Sequence, residues 1–260
     1  MRILQRITIG AFLIVLLAFV GTKIYTTLAV DRVPPTITSE SDIIEVQVGA
    51  SERALLKGIS AADDKDGDVT DQIMIKGVSQ LIGADTAKVT YIAFDSSNNM
   101  ATYQRTVRYT DYERPRFSLS KPLTFPMGTS IQLLDMLTAS DVLDGDISDS
   151  IRVTTQNVDS GTAGTYSVTV QATNSLGDVE SLPLKVVIRN GAASFVPLVL
   201  SEYIVYLDMG DSYRPNSYIT TPSAVGEVEI DSHVDTQTPG IYDVSYTYQN
   251  FTVYQTVIVR

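Results

Sequence analysis

From Tyr166 to Gln171 the side chains alternate, with Tyr166, Val168 and Val170 on one face of an extended chain and Ser167, Thr169 and Gln171 on the other. That period of two predicts a half-buried antiparallel strand. The pattern occurs three times, in "KVTYIAFDSSNN", "YSVTVQATNSLGD" and "YDVSYTYQN", each an alternating run that enters a turn. A closing strand follows each, in "YQRTVRY", "LPLKVVI" and "YQTVIVR". Upstream, the short apolar runs "IIEVQVG", "PLTFPMG" and "YIVYLDMG" end at Gly49, Gly128 and Gly210, and prolines open them at Pro34-Pro35, Pro115 and Pro197. Self-similarity at a period of roughly 80 residues means one domain per repeat. The expected divisions are 31–113, 114–190 and 191–260, joined by short linkers. Many short strands punctuated by turns predict an all-β chain of β-sandwiches. Only "ERALLKGIS" and "IQLLDMLTA" offer a helical turn inside the repeats.

Residues 1–30 depart from this pattern. Arg2 and Arg6 precede an uncharged apolar run from Ile7 to Thr22, and if Lys23 snorkels the run extends to Val30. As a helix that length crosses about 30 Å of hydrocarbon. The segment reads as a signal-anchor; the alternative is a signal peptide removed after the weak small-residue pattern Thr27-Leu28-Ala29. Either way the repeats are exported. The basic residues before the span and the acids Asp31, Glu40 and Asp42 after it place the N-terminus inside and the C-terminal repeats outside. No LPxTG signal or second span lies near Arg260, so attachment is expected at the N-terminal end.

Charge narrows the partners. The chain carries −11, and removing Arg2, Arg6 and Lys23 with the first thirty residues leaves −14 on the exported part. Such a surface repels nucleic acid and anionic polymers, whose binding depends on Lys and Arg. There is no cysteine, so neither disulfides nor thiolate metal sites form. His233, in "EIDSHVD", is the only histidine, and no G-x-S-x-G elbow accompanies it. "GTAG" at Gly161–Gly164 lacks the context of a phosphate-binding loop. No catalytic residue and no enzyme activity are expected.

Two acidic stretches stand out: "DDKDGDVTDQI" from Asp63 to Ile73, and "DVLDGDISDSI" from Asp141 to Ile151. The order of proline opener, strand ending in Gly, D-x-x-D-G-D-[VI]-[TS]-D, "GTYSVTV" and "DSSNN" resembles the bacterial immunoglobulin-like domains of the pesticidal crystal protein Ig-like family. The resemblance covers 33–260, strongly in two repeats and weakly in the third, which lacks the D-G-D loop. It implies tandem sandwiches of the seven-strand type on an N-terminally anchored bacterial surface protein, and no catalytic residues.

The acidic loops are not EF-hands. With Gly67 at loop position 6, Ala62 and Ile73 occupy positions 1 and 12; with Gly145 there, Ser140 and Ile151 do. The leading reading is a tight turn, since Asp-Gly supplies positive φ and Asp side chains accept from backbone N–H groups two residues on. The alternative is Ca²⁺. Crowded carboxylates repel without a cation, and Asp63, Asp66 and Asp68 would be joined by Asp95 from the next loop. In the second copy Asp141, Asp144 and Asp146 would be joined by Asn174 and Asp178.

Eight of the fourteen tyrosines fall in residues 191–260. Parity with the second repeat turns Tyr242, Val244 and Tyr246 inward and Ile204, Tyr206, Tyr254 and Ile258 outward. Those four are the candidate partner surface, since exposed rings supply contact area at low entropic cost. The expected function is a non-enzymatic structural or adhesive array of surface modules. The alternative is a subunit of an envelope complex that recognises glycan or protein through the third repeat.

Overall fold

A computed structural model describes residues 2–29, 31–191, 197–221 and 228–260. It contains one long helix followed by short strands, and it divides into two compact units, Met1–Thr110 and Asp111–Arg260. The helix runs Arg2–Ala29, and its stretch Gln5–Tyr25 is long and apolar enough to cross a membrane. Ile7, Phe12, Ile14 and Leu17 are exposed along it, so no protein core satisfies them.

In the first unit a three-stranded antiparallel sheet places Ile59–Asp63 between Thr36–Ser39 and Gly67–Asp68. A four-stranded sheet runs in the order Ile43–Val46, Met100–Tyr109, Thr86–Phe94, Met74–Val78. Its first pair is parallel and the others antiparallel. The two faces of Thr86–Phe94 differ as the sequence pattern requires. Ala87, Val89, Tyr91 and Ala93 are fully buried, while the residues between them are partly exposed. Ile37, Ile59, Ala61, Val69 and Ile73 line the small-sheet side of the core.

The second unit repeats the larger-sheet topology twice and the three-stranded sheet once. Leu137–Asp141 lies between Arg116–Leu119 and Gly145–Asp146, and the larger sheet runs Arg152–Gln156, Gly164–Thr173, Val179–Arg189, Thr124–Pro126. In the third repeat Val199–Leu200 pairs with Ile219–Thr221, and the larger sheet runs Ile204–Leu207, Phe251–Val259, Gly240–Tyr248, Glu229–Asp231. In all three repeats the closing strand adds the early strand in parallel. Every sheet among the described residues stays within its own repeat.

The second and third repeats share one continuous core, from Phe117 to Ile258. This corrects the expected outward surface. Ile204 and Ile258 are buried at 7% and 5% exposure, and Tyr206 packs half-buried against the core. Tyr254 is half-buried as well. Strand parity leaves one face of each strand to solvent, but Gln255 to Val259 is buried residue after residue because the second repeat covers the other face. The Tyr206 hydroxyl accepts from the Phe117 backbone N–H at 2.7 Å, and the Arg260 guanidinium lies 4.6 Å from the Tyr206 ring. Thr124 Oγ1 donates to the Thr252 carbonyl, and Arg260 pairs with Glu180 at 3.1 Å.

Candidate cation site and the loops around it

The D-G-D loop of the first repeat is built by its own aspartates. Asp63 Oδ1 accepts from the backbone N–H of Lys65 and of Asp66, at 2.9 and 3.0 Å, which closes the turn. Gly67 then takes φ +74°, a left-handed conformation that a Cβ would strain. Asp68 Oδ1 accepts from Thr70 N–H at 2.9 Å and so opens the short 3-10 turn Thr70–Gln72. These bonds hold the carboxylates of Asp63 and Asp68 below the usual range, through Asp66 and Lys65 N–H groups in one case and Thr70 in the other. The second repeat builds the same turn: Asp141 Oδ1 accepts from Leu143 and Asp144 N–H, Gly145 has φ +72°, and Asp146 caps Ser148.

The middle aspartate does something different. Asp66 accepts from Ser96 N–H at 2.6 Å and from Ser96 Oγ at 2.8 Å, joining the D-G-D loop to the "DSSNN" turn. Asp144 does the same with Ser175, at 2.6 and 2.7 Å. The two loops therefore meet at one end of each sandwich, as the calcium reading requires. The carboxylates of Asp66, Asp68, Asp144 and Asp146 are nevertheless bonded to Ser96, Thr70, Ser175 and Ser148.

The residues that converge are Asp63, Asp95 and Asp31. Each offers a carboxylate oxygen, the three oxygens lie within 4.8 Å of one another, and their side chains are buried at 8%, 6% and 5% exposure. Asp95 is braced by Asn99, whose N–H reaches Oδ1 at 2.7 Å and whose Nδ2 reaches Oδ2 at 2.6 Å. Asp31 Oδ1 accepts from Val33 N–H at 2.9 Å and lies 3.5 Å from the half-exposed Lys65 ammonium. Asp31 Oδ2 and Asp63 Oδ2 are buried without a hydrogen-bond partner. Asp31 is missing from the sequence expectation because it precedes the first strand and reads there only as an acidic flank of the apolar segment.

The matching place in the second repeat is occupied by different chemistry. Asn174 stands where Asp95 does, and its Nδ2 donates to Asp141 Oδ2 at 3.0 Å and to the Tyr112 hydroxyl at 2.7 Å. Tyr112 in turn donates to Asp178 Oδ2 at 2.9 Å, and Arg114 pairs with Asp178 at 3.3 Å. Burial, then the bond to Asp178, pushes the Tyr112 phenol well above its ordinary value. Asp141 and Asn174 are brought together, but an amide N–H lies between the acceptors there. The sequence of the third repeat carries no D-G-D motif. His233 is exposed beside Asp231 at 3.3 Å.

Residues 117–186 match the family model described as "Bacterial surface protein, Ig-like domain". It is 26% identical over 234 residues to the pesticidal crystal protein Cry22Aa of Bacillus thuringiensis, covering 82% of this chain and 30% of that protein. It is 27% identical over 167 residues to an uncharacterized 81.3 kDa protein of Acholeplasma phage L2, covering 62% of this chain and 22% of that one. The chain thus spans less than a third of either relative. Among solved structures it is similar to the CBM51-2 and INT domains of Clostridium perfringens ZmpB, with TM-score 0.25 and 19% identity, covering 56% of this chain and 26% of that one. Domains 6-7 of the surface layer protein SbsC give TM-score 0.21 and 12% identity, covering 61% of this chain and 99% of that one.

Proposed function

We propose that the chain is a non-enzymatic, membrane-anchored surface protein whose Ig-like modules, at 31–113, 114–190 and 191–260, act structurally outside the cell. The observation that carries this reading is the pairing of an exposed apolar helix, Gln5–Tyr25, with a bacterial surface Ig-like domain in one chain. A helix whose apolar side chains find no protein partner is stable in lipid, where its backbone bonds are satisfied within the helix. The modules suit a structural role, since their acidic end loops are bonded to their own backbone and to neighbouring hydroxyls. The alternative, recognition of glycan or protein through the third repeat, is not favoured at Ile204 and Ile258, which are buried.

The test is protease shaving of intact bacteria that express the full chain, alongside a reporter known to face outward. The expected result is digestion of the repeats and retention of residues 1–30 in the membrane fraction. Protection of the repeats while the reporter is digested would reverse the topology. Release of a soluble chain that begins after Ala29 would replace the anchor with a cleaved signal.

A further inference from the structure

We infer that Asp31, Asp63 and Asp95 form a calcium site that closes the end of the first repeat, and that the second repeat has replaced the ion with an internal hydrogen-bond network.

Two independent observations converge. The first is geometric: the three carboxylate oxygens lie within 4.8 Å of one another. Oxygens on one Ca²⁺ are bound at 2.3–2.6 Å, so any two of them are separated by at most about twice that distance. The second is an unmet bonding requirement. Asp31 Oδ2 and Asp63 Oδ2 are buried atoms without a partner, on side chains more than nine-tenths buried. A buried carboxylate oxygen without a donor or cation is costly.

The Lys65 cation does not remove that requirement. The Lys65 ammonium sits 3.5 Å from Asp31 Oδ1, the oxygen that already accepts from Val33, and it offsets one charge of three. All three ligands are carboxylates, the hard oxygen donors that suit Ca²⁺; softer metals prefer imidazole or thiolate. Backbone N–H groups of Lys65, Asp66, Val33 and Asn99 hold one oxygen of each carboxylate, which orients the set before any ion arrives.

The second repeat acts as an internal control. The same frame carries Asn174 for Asp95, Asp178 for Asn99 and Leu143 for Lys65. With those exchanges the Asn174 amide donates to Asp141 Oδ2 and to Tyr112, and neither is left unpartnered. The frame therefore takes a donor or a cation at this point, and only the first repeat lacks the donor. Three stretches far apart in sequence meet at the site, and one of them, Asp31, lies two positions beyond the helix Arg2–Ala29. Loading would fix the chain's entry into the first sandwich.

The experiment uses the full chain in detergent micelles, titrated with CaCl₂ and separately with MgCl₂ by calorimetry, with melting followed in parallel. The expected result is one Ca²⁺ per chain, in the range of roughly 10⁻⁴–10⁻³ M that extracellular modules show. At a tenfold excess over Kd the Tm of the first repeat should rise on the order of 5–10 °C. Asp95→Asn combined with Asn99→Asp copies the second repeat's arrangement; it should stay folded, bind no Ca²⁺ and melt independently of it. Lys65→Gln removes the competing ammonium and should tighten binding several-fold. No heat and no Tm shift at about 10 mM Ca²⁺ overturns the site, leaving water in the gap. Mg²⁺ binding as tightly as Ca²⁺ overturns the calcium assignment, and a Ca²⁺ response that survives in the double variant overturns the location.

Discussion

Gln255 has no exposed surface, and its amide organises the core of the third repeat. Its Oε1 accepts from the Tyr213 and Tyr246 hydroxyls at 2.6 and 2.9 Å, and its Nε2 donates to the Glu202 carbonyl at 2.8 Å. The first repeat places Arg105 at the same register. Arg105 pairs with Val89 as Gln255 pairs with Val244, and it donates to the Leu55 and Lys57 carbonyls and to Tyr91. The second repeat places Leu184 opposite Val168 at this register, and Val170 where the first repeat has Tyr91. Removing the guanidinium strands two carbonyls in a dry core, so Arg105→Ala should cost about 3 kcal/mol, read from denaturant unfolding with an unchanged slope. The tyrosines set an alkaline limit. Burial pushes the Tyr213 phenol up to about 12, whereas in the unfolded chain it ionises near 10. Because the folded value is the higher one, this stabilisation is complete below pH ~10 and is lost as pH rises towards ~12. Tyrosinate absorbance of the third repeat should therefore appear together with unfolding, and Tyr213→Phe should flatten that edge of the stability curve.

At the scale of elements, the paired loops at the sandwich end separate two roles that look alike in the sequence. Asp66 staples the D-G-D turn to Ser96, and the converging carboxylates lie beside it. Asp66→Asn is expected to lower stability by about 1–2 kcal/mol through the weakened bonds to Ser96 and to leave the Ca²⁺ response in place. Loss of the response in that variant would return Asp66 to the ligand set. Replacing Gly67 or Gly145 with Ala should cost about 1–2 kcal/mol each, because φ +74° and +72° place a Cβ in the left-handed region. The strands, the turns and their recurrence were legible, since alternation in Thr86–Phe94 and the Asp-Gly dipeptides are local signals. Asp31 was not, because its role depends on a fold that brings residues 31, 63 and 95 together. Nor was the burial of Ile204 and Ile258: period two marks which residues share a face but not what covers it.

Across the second compact unit, two repeats that read as separate beads in sequence are one folded body with a shared core. Tyr206 is central to that contact. Its ring lies under the guanidinium groups of Arg260 and Arg116, at 4.6 and 5.3 Å, and its hydroxyl accepts from Phe117 N–H at the edge of the Arg116–Leu119 strand. Burial is the main reason its phenol is pushed above the ordinary value. An edge-strand N–H capped by a side chain of the next repeat links the two repeats directly, and the Arg260–Glu180 pair adds a second tie. Residues 111–260 should therefore melt in a single calorimetric transition whose van't Hoff and measured enthalpies agree. Tyr206→Phe removes the acceptor for one buried N–H and should cost about 1–3 kcal/mol without splitting the transition. Tyr206→Ala also opens a cavity at the contact, costs about 3–5 kcal/mol by analogy with other aromatic truncations, and should split the transition in two, with the third repeat melting first. Two transitions already present in the wild-type unit would mean that the shared core does not couple the repeats, and that they act as independent modules.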